Sequence, residues 1–497
     1  MPAAPLGQRL SRGVGWLAIA QVVRRLSGLV VTALLARMLA PKDFGLVALA
    51  SLATQLLGTV TEMGLTSALI QKQDSDEDDL STGFWMAIGS SIAFGLLGLA
   101  LANQIGAIFH EPRIVPLFRV MLLTLPISAL GQLPDAILQR RLDFRTISQV
   151  DWISGVGSGL IGVLAALYGL GLWALVLQLL SASLLGTVLR TIFLRWRPRF
   201  AFKWDTARRL VTYGSSLVAL GLVNYAAVNV DNALIGARIG ASALGYYMLA
   251  FNLVLLPSNN VGGLVGRVMF PALASMQSDR QLFLSAYASM LRVVAVVTFP
   301  LVVGLGVTAP LAVTAIYGPQ WTQTIILLEI LTFVGVLQAV NVSGVAYSAI
   351  GKPQILLAWS GVALTVMTLG FVIGSRWGVA GVAWSYLIVS PVVCIPPHLI
   401  ANRLIGMRQR DFARVVGIPL FAAMIMGALV LLVRRIPTVA AIPLIPQLII
   451  VSLFGGLVYV GLLFGLAYLS GARQAPLRWI TRQAVTVSAP GIQRASV

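Results

Sequence analysis

The sequence predicts an all-α polytopic membrane protein of about fourteen transmembrane helices, and three observations carry that prediction. Of the 497 residues, 58% are hydrophobic and only 10% are charged. The mean hydropathy of +0.90 lies far from the balance of a water-soluble domain. Apolar runs of roughly 18 to 25 residues recur from one end to the other, separated by short polar or Gly/Pro-containing breaks, and no segment between them is long and polar enough to form a soluble domain.

Taken in order, the runs place spans near 14–39, 45–70, 84–108, 115–138, 147–167 and 170–193, then near 210–238, 244–268, 287–309, 324–349, 355–374 and 379–400, and last near 415–433 and 447–469. The leading "MPAAPLGQRLSRG" carries Arg9 and Arg12 but runs into a full-length span without a small-residue cleavage pattern, so the first span is read as retained. An even number of spans puts both termini on one side. With that side cytoplasmic, about 25 of the 35 basic residues fall in inside segments and about 8 outside, as the positive-inside rule requires. The basic stretch "RWRPRFAFKWDTARR" (Arg195 to Arg209) is one such inside loop, so the net charge of +19 needs no nucleic acid to explain it. The inside loop "QKQDSDEDDL" (Gln71 to Leu80) is acidic instead and reads as a solvated, mobile segment.

One cysteine (Cys394) and two histidines (His110 and His398) exclude disulfides within the chain and cysteine-rich metal sites. They also leave a histidine-centred active site little to work with. Gly155, Gly157, Gly159 and Gly162 lie inside a span with no preceding strand and read as helix packing rather than a dinucleotide loop. Pro126, Pro257, Pro300, Pro391 and Pro419 fall within spans and are expected to bend them. Asn341 belongs to a glycosylation-like triplet but is placed inside a span.

Internal similarity organises the chain. "LLARMLAPKDFGLVALA" (Leu34 to Ala50) after the first span matches "LIGARIGASALGYYMLA" (Leu234 to Ala250) after the seventh, an offset of about 200 residues. Six spans per repeat is an even number, so the two halves share one orientation and are related by an axis along the membrane normal. The predicted domains are a six-helix lobe over 1–200, a second six-helix lobe over 201–402, and an appended pair of helices with a tail over 403–497. Two such lobes can enclose a central cleft, the arrangement of many secondary transporters.

Polar residues inside the spans mark the candidate site. In the first span Gln21, Arg24, Arg25, Gly28 and Thr32 recur at helical spacing on one face. Two guanidiniums at that depth are costly for a boundary and suit a bidentate anion such as phosphate or carboxylate. The seventh span, its repeat partner, carries Asn224 and Asp231 on one face, with Tyr225, Asn229 and Asn232 beside them. Amides and a phenol suit sugar hydroxyls, while Asp231 could pair with an arginine, take a proton or help hold a cation. Glu62 and Glu329 are further acids for ion coupling, whereas Asp135 and Asp151 sit close to the interface.

The stretches "GWLAIAQVVRRLSGLVVTALLARMLAPKDFGLVALA", "TEMGLTSALIQ" and "DNALIGARIGASALGYYMLAFNLVLLPSNNVGGLVGRVMFPALASMQSD" resemble the polysaccharide-transporter branch of the multidrug/oligosaccharidyl-lipid/polysaccharide exporter superfamily. They are similar in particular to colanic-acid and xanthan-type exporters. The resemblance implies a bacterial inner-membrane flippase that moves undecaprenyl-pyrophosphate-linked oligosaccharide repeat units to the periplasmic leaflet. It implies alternating access between two six-helix lobes, no cofactor beyond a proton or sodium gradient, and a cavity lined by charged residues. Expected partners are the lipid-linked oligosaccharide, membrane lipid, and a polysaccharide polymerase with chain-length or export proteins, with no nucleic acid. The competing readings are a flippase for the peptidoglycan precursor, a drug/cation antiporter of the same superfamily and, from another class, a membrane glycan polymerase or ligase.

Overall fold

The computed structural model describes residues 27–61, 76–141 and 143–469. Its regular structure there is entirely helical, the form that satisfies every backbone N–H and C=O within one segment when no water is at hand. The principal helices are α1 (Ser27–Met38), α2 (Pro41–Thr61), α3 (Glu77–Ile108), α4 (Ile114–Met121), α5 (Thr124–Arg140), α6 (Phe144–Leu167), α7 (Trp173–Leu194) and α8 (Trp204–Arg238). They continue with α9 (Ala241–Ser275), α10 (Arg280–Val307), α11 (Thr322–Ala339), α12 (Ser343–Ala349), α13 (Pro353–Gly374), α14 (Gly378–Ile405), α15 (Gln409–Arg434) and α16 (Leu444–Leu469).

Among the described residues, 12 stretches are long and apolar enough to cross a membrane. The chain is a multi-pass membrane protein. The sequence predicts about fourteen spans. The described set differs because the first span enters it only as the short α1, and because α13 and α14 run on as one 52-residue stretch. The predicted span 324–349 is broken: α11 ends at Ala339, and Asn341 sits in the gap before α12 rather than inside a helix.

The chain packs as two compact units, residues 1–245 and 246–497. Within the first, α6 packs on α7, α5 on α7, and α3 on α5; within the second, α13 packs on α14, α11 on α14, and α10 on α11. The same order of neighbours thus recurs inside each unit, with α15 and α16 packed together and against α10 in the second.

The repeated segments also meet. A Cβ built on Gly45 would run into the Ala241 carbonyl, and one built on Gly245 would run into the Pro41 carbonyl. The two contacts are reciprocal. Gly45 and Gly245 stand 200 residues apart (245 minus 45), as do Pro41 and Ala241. The starts of α2 and α9 therefore approach so closely that only hydrogen fits between them, as small residues permit between membrane helices. Gly240, with φ +112°, makes the turn that launches α9.

The acidic segment departs from its expected role. Asp76 caps α3 by accepting from the Asp79 amide, and Glu77, Asp78 and Asp79 occupy the first turn, where carboxylates suit the positive end of the helix dipole. This turn holds the basic stretch that follows α7. Lys203 bridges Asp76 (2.5 Å) and Asp78 (3.4 Å), and Arg199 pairs with Glu77. The Arg199 and Lys203 amides donate to the Ser81 and Thr82 hydroxyls, and Thr206 donates to the buried Asp79 carboxylate at 2.5 Å. The Trp85 indole donates to the Arg199 carbonyl and its ring stacks on Phe200. Residues 76–79 thus form a folded, largely solvent-facing clasp for the loop of opposite charge rather than a mobile segment, and residues 71–75 of the predicted acidic loop lie outside the described residues. Sequence neighbours said nothing of this because the partners lie more than 110 positions away.

Candidate functional site

The polar face predicted for the seventh span lies on α8, where Asn224, Tyr225, Asn229, Asp231 and Asn232 all fall inside one continuous helix. That helix runs along α2 within the first unit. A Cβ on Gly236 would collide with Leu49, and one on Gly221 would come to 3.0 Å from Thr59, so small residues on α8 set the close approach.

The five side chains divide by environment. Asn224 is exposed and makes no side-chain hydrogen bond among the described residues. Tyr225 is half-buried, and its hydroxyl donates to the Leu52 carbonyl at 2.7 Å, which ties α8 to α2 and leaves only the acceptor lone pairs of the phenol for a ligand. Asn229 donates to the Tyr225 carbonyl one turn back at 3.0 Å, and the Asn232 amide nitrogen lies 3.5 Å from the Asn229 oxygen. Asp231 is 3% exposed and its Oδ1 accepts from the Asn232 backbone N–H at 2.8 Å. The Oδ1 of Asn232, beside it, is buried without a hydrogen-bond donor. The stripe passes from open and uncommitted at Asn224 to buried and oxygen-rich at Asp231.

Gln21, Arg24, Arg25 and Glu62 lie outside the described residues. Glu329 belongs to the second unit, where it is exposed on α11. Among the described residues no group of three His, Cys, Asp or Glu side chains is placed to hold a metal ion.

Arg190 was not singled out by sequence. It projects from α7 between Asp135 of α5 and Asp151 of α6, with its Nε 2.8 Å from Asp135 and a terminal nitrogen 3.0 Å from Asp151. Gln139 donates to the other Asp135 oxygen at 2.7 Å. One guanidinium fork between two carboxylates ties three helices, so Asp135 and Asp151 are pairing partners as well as residues near helix ends. Arg190 looks from sequence like any basic residue at a span end, which is why it carried no signal.

Comparison with known proteins places this fold. A family model described as polysaccharide biosynthesis protein matches residues 34–326, more than half of the chain. The chain belongs to the polysaccharide biosynthesis protein family. Its similarity extends to the teichuronic acid biosynthesis protein TuaB of Bacillus subtilis (strain 168), 28% identical over 389 residues, covering 78% of this chain and 80% of that protein. The lipopolysaccharide biosynthesis protein WzxC of Escherichia coli (strain K12) is 25% identical over 428 residues, covering 84% and 86%. Among solved structures, the lipid II flippase MurJ in an inward closed conformation superposes with a TM-score of 0.73 at 16% identity, over 90% of this chain and 97% of that one. A multidrug resistance MATE family transporter in an inward-facing conformation gives 0.59 at 15% identity, over 78% and 98%. At these identities the structural likeness is one of fold. It agrees with the superfamily that the sequence motifs of this polysaccharide biosynthesis family member resemble.

Proposed function

We propose that this protein is a flippase that moves a lipid-linked oligosaccharide repeat unit, carried on undecaprenyl pyrophosphate, from the cytoplasmic to the periplasmic leaflet of a bacterial inner membrane. The observation that supports the reading beyond family membership is the α8 face. A membrane helix that carries the exposed Asn224 amide beside the half-buried Asn229 and Tyr225 offers hydrogen-bonding groups that lipid tails cannot use and sugar hydroxyls can. Arg24 and Arg25, on the repeat-related first span, neutralise the pyrophosphate or an acidic sugar as it passes the low-dielectric midplane, where an unpaired anion is prohibitive.

Movement between two six-helix lobes by alternating access exposes this face to each leaflet in turn, and the lipid tail never leaves the bilayer. No covalent bond is made or broken. Asp231 and the neighbouring Asn232 oxygen are hard oxygen donors of the kind that takes a proton or sodium ion, and they are the coupling residues of this reading. Both termini are cytoplasmic, as the distribution of arginine and lysine requires.

The test is reconstitution into liposomes with a fluorescent undecaprenyl-pyrophosphate oligosaccharide, following its arrival in the opposite leaflet. Transfer by the wild type that is abolished in folded Arg24→Ala/Arg25→Ala supports both the substrate and the anion site. Transfer that persists in the double variant removes the arginines from the site. Absence of transfer under any imposed ion gradient, with lipid II or a cationic drug moved instead, overturns the reading.

A further inference from the structure

Within the second unit, α10, α11 and α15 line a cavity of about 360 Å³, in the range of small-ligand pockets. Most of its lining is apolar, Val303, Val336 and Gly427 included. Its lining also includes Glu329 of α11 and Arg434 of α15. Close packing fixes their level. Gly306 lies against Thr332, and a Cβ on Gly335 would approach Val302 to 2.9 Å, so α10 and α11 run antiparallel. Glu329 is one turn beyond Thr332, about 4–5 Å toward the end of α10. Arg434 donates to the Val307 carbonyl at 2.8 Å, at that same end of α10. A carboxylate and a guanidinium therefore line one apolar groove at the same end of α10. Phe333, Met424 and Leu431, each at least 40% exposed, leave the groove open along its side to lipid.

Glu329 forms no ion pair or hydrogen bond among the described residues, and Arg434 uses one terminal nitrogen on Val307. A carboxylate on an apolar membrane groove is costly without a cation, and a guanidinium with free N–H groups matches a phosphate. The geometry points to a bound zwitterionic phospholipid with a primary ammonium head group. Its phosphate accepts from Arg434, its ammonium donates to Glu329, and an acyl chain lies along Val303, Val336 and Gly427. Charge and N–H donors together decide between lipids. A glycerol head group brings no positive charge to Glu329, a quaternary ammonium has no N–H to donate to it, and a pyrophosphate brings further negative charge against it. This site does not depend on what the protein transports.

The experiment is native mass spectrometry of the full-length protein, stripped in detergent and supplied with equal amounts of phosphatidylethanolamine, phosphatidylcholine and phosphatidylglycerol. The wild type is expected to retain one phosphatidylethanolamine in preference to the other two by about tenfold, the scale of one charge-assisted hydrogen bond. Glu329→Gln, an isosteric change at an exposed position, should abolish the preference for ethanolamine over choline while retaining a lipid. Arg434→Gln should lose all three, and Arg434→Lys should regain binding. Equal retention of the three lipids by the wild type overturns the proposal. An unchanged preference in Glu329→Gln, or displacement by undecaprenyl pyrophosphate, overturns it as well.

Discussion

The clasp at the start of α3 and the polar face of α8 use similar residues to opposite ends. In the clasp each acidic side chain from Asp76 to Asp79 has a partner: Lys203 serves Asp76 and Asp78, Arg199 serves Glu77, and Thr206 serves Asp79. On α8, by contrast, Asn224 is uncommitted and the Asn232 oxygen is buried with no donor. A polar group whose partners are all within the fold holds the fold; one left short of partners is available to something else. The difference teaches where to look for stability and where to look for transport.

The largest effect is expected at Asp79. Asp79→Ala strips the acceptor from the buried Thr206 hydroxyl and is expected to cost about 2–3 kcal/mol, the penalty for an orphaned buried partner of a charged group. Thermal unfolding in detergent should fall accordingly, while transport per folded molecule stays near the wild-type value. A large loss of transport with unchanged stability would place the clasp in the site instead.

At Asn224 the expectation is reversed. Asn224→Ala should leave stability within about 0.5 kcal/mol, as for other exposed positions, yet slow oligosaccharide transfer by about tenfold. Initial rates in liposomes check this, and an unchanged rate would leave the open end of α8 without a role. Tyr225→Phe stands between the two. It removes one hydrogen bond to Leu52 and should lower stability by about 1 kcal/mol with little effect on rate, because the hydroxyl proton is already spent on the protein.

The smallest effect is electrostatic. The Lys203 ammonium holds the Asp76 carboxyl below its ordinary range, and Asp76 in turn raises Lys203. A depressed carboxyl contributes stability above its unfolded value and loses it as pH falls through the folded one. A raised ammonium contributes below its unfolded value and loses it as pH climbs through the folded one. The pair faces solvent, so the clasp should be indifferent to pH across the neutral range and weaken slightly on the acid side. Melting temperatures of the wild type and Lys203→Gln as a function of pH should converge below the carboxylate range; curves that stay parallel there would remove the pair from the stability of the clasp.

Much of this architecture was legible from sequence because the bilayer is an unforgiving solvent. Long apolar runs such as 287–309 and 415–433 have few folds open to them, and α10 and α15 lie where those runs do. The similarity of the segments around Gly45 and Gly245 announced a repeat, and the family model matches residues 34–326, which hold most of the motifs that carry the resemblance. The five polar positions of the seventh span do share one helix, since a spacing of three, four and seven has only that meaning in a span.

What only the tertiary structure decided is which polar groups are already satisfied. Tyr225 looks like a ligand until its hydroxyl is seen donating to the Leu52 carbonyl, and the acidic run 76–79 looks like a free loop until Arg199, Lys203 and Thr206 arrive from far along the chain. Arg190 and Arg434 look like ordinary boundary arginines until two aspartates or an open groove stand beside them. Hydropathy depends on neighbours in sequence, and a helix places them reliably. Pairing of charges depends on neighbours in space, drawn from helices whose order of contact the local pattern does not encode.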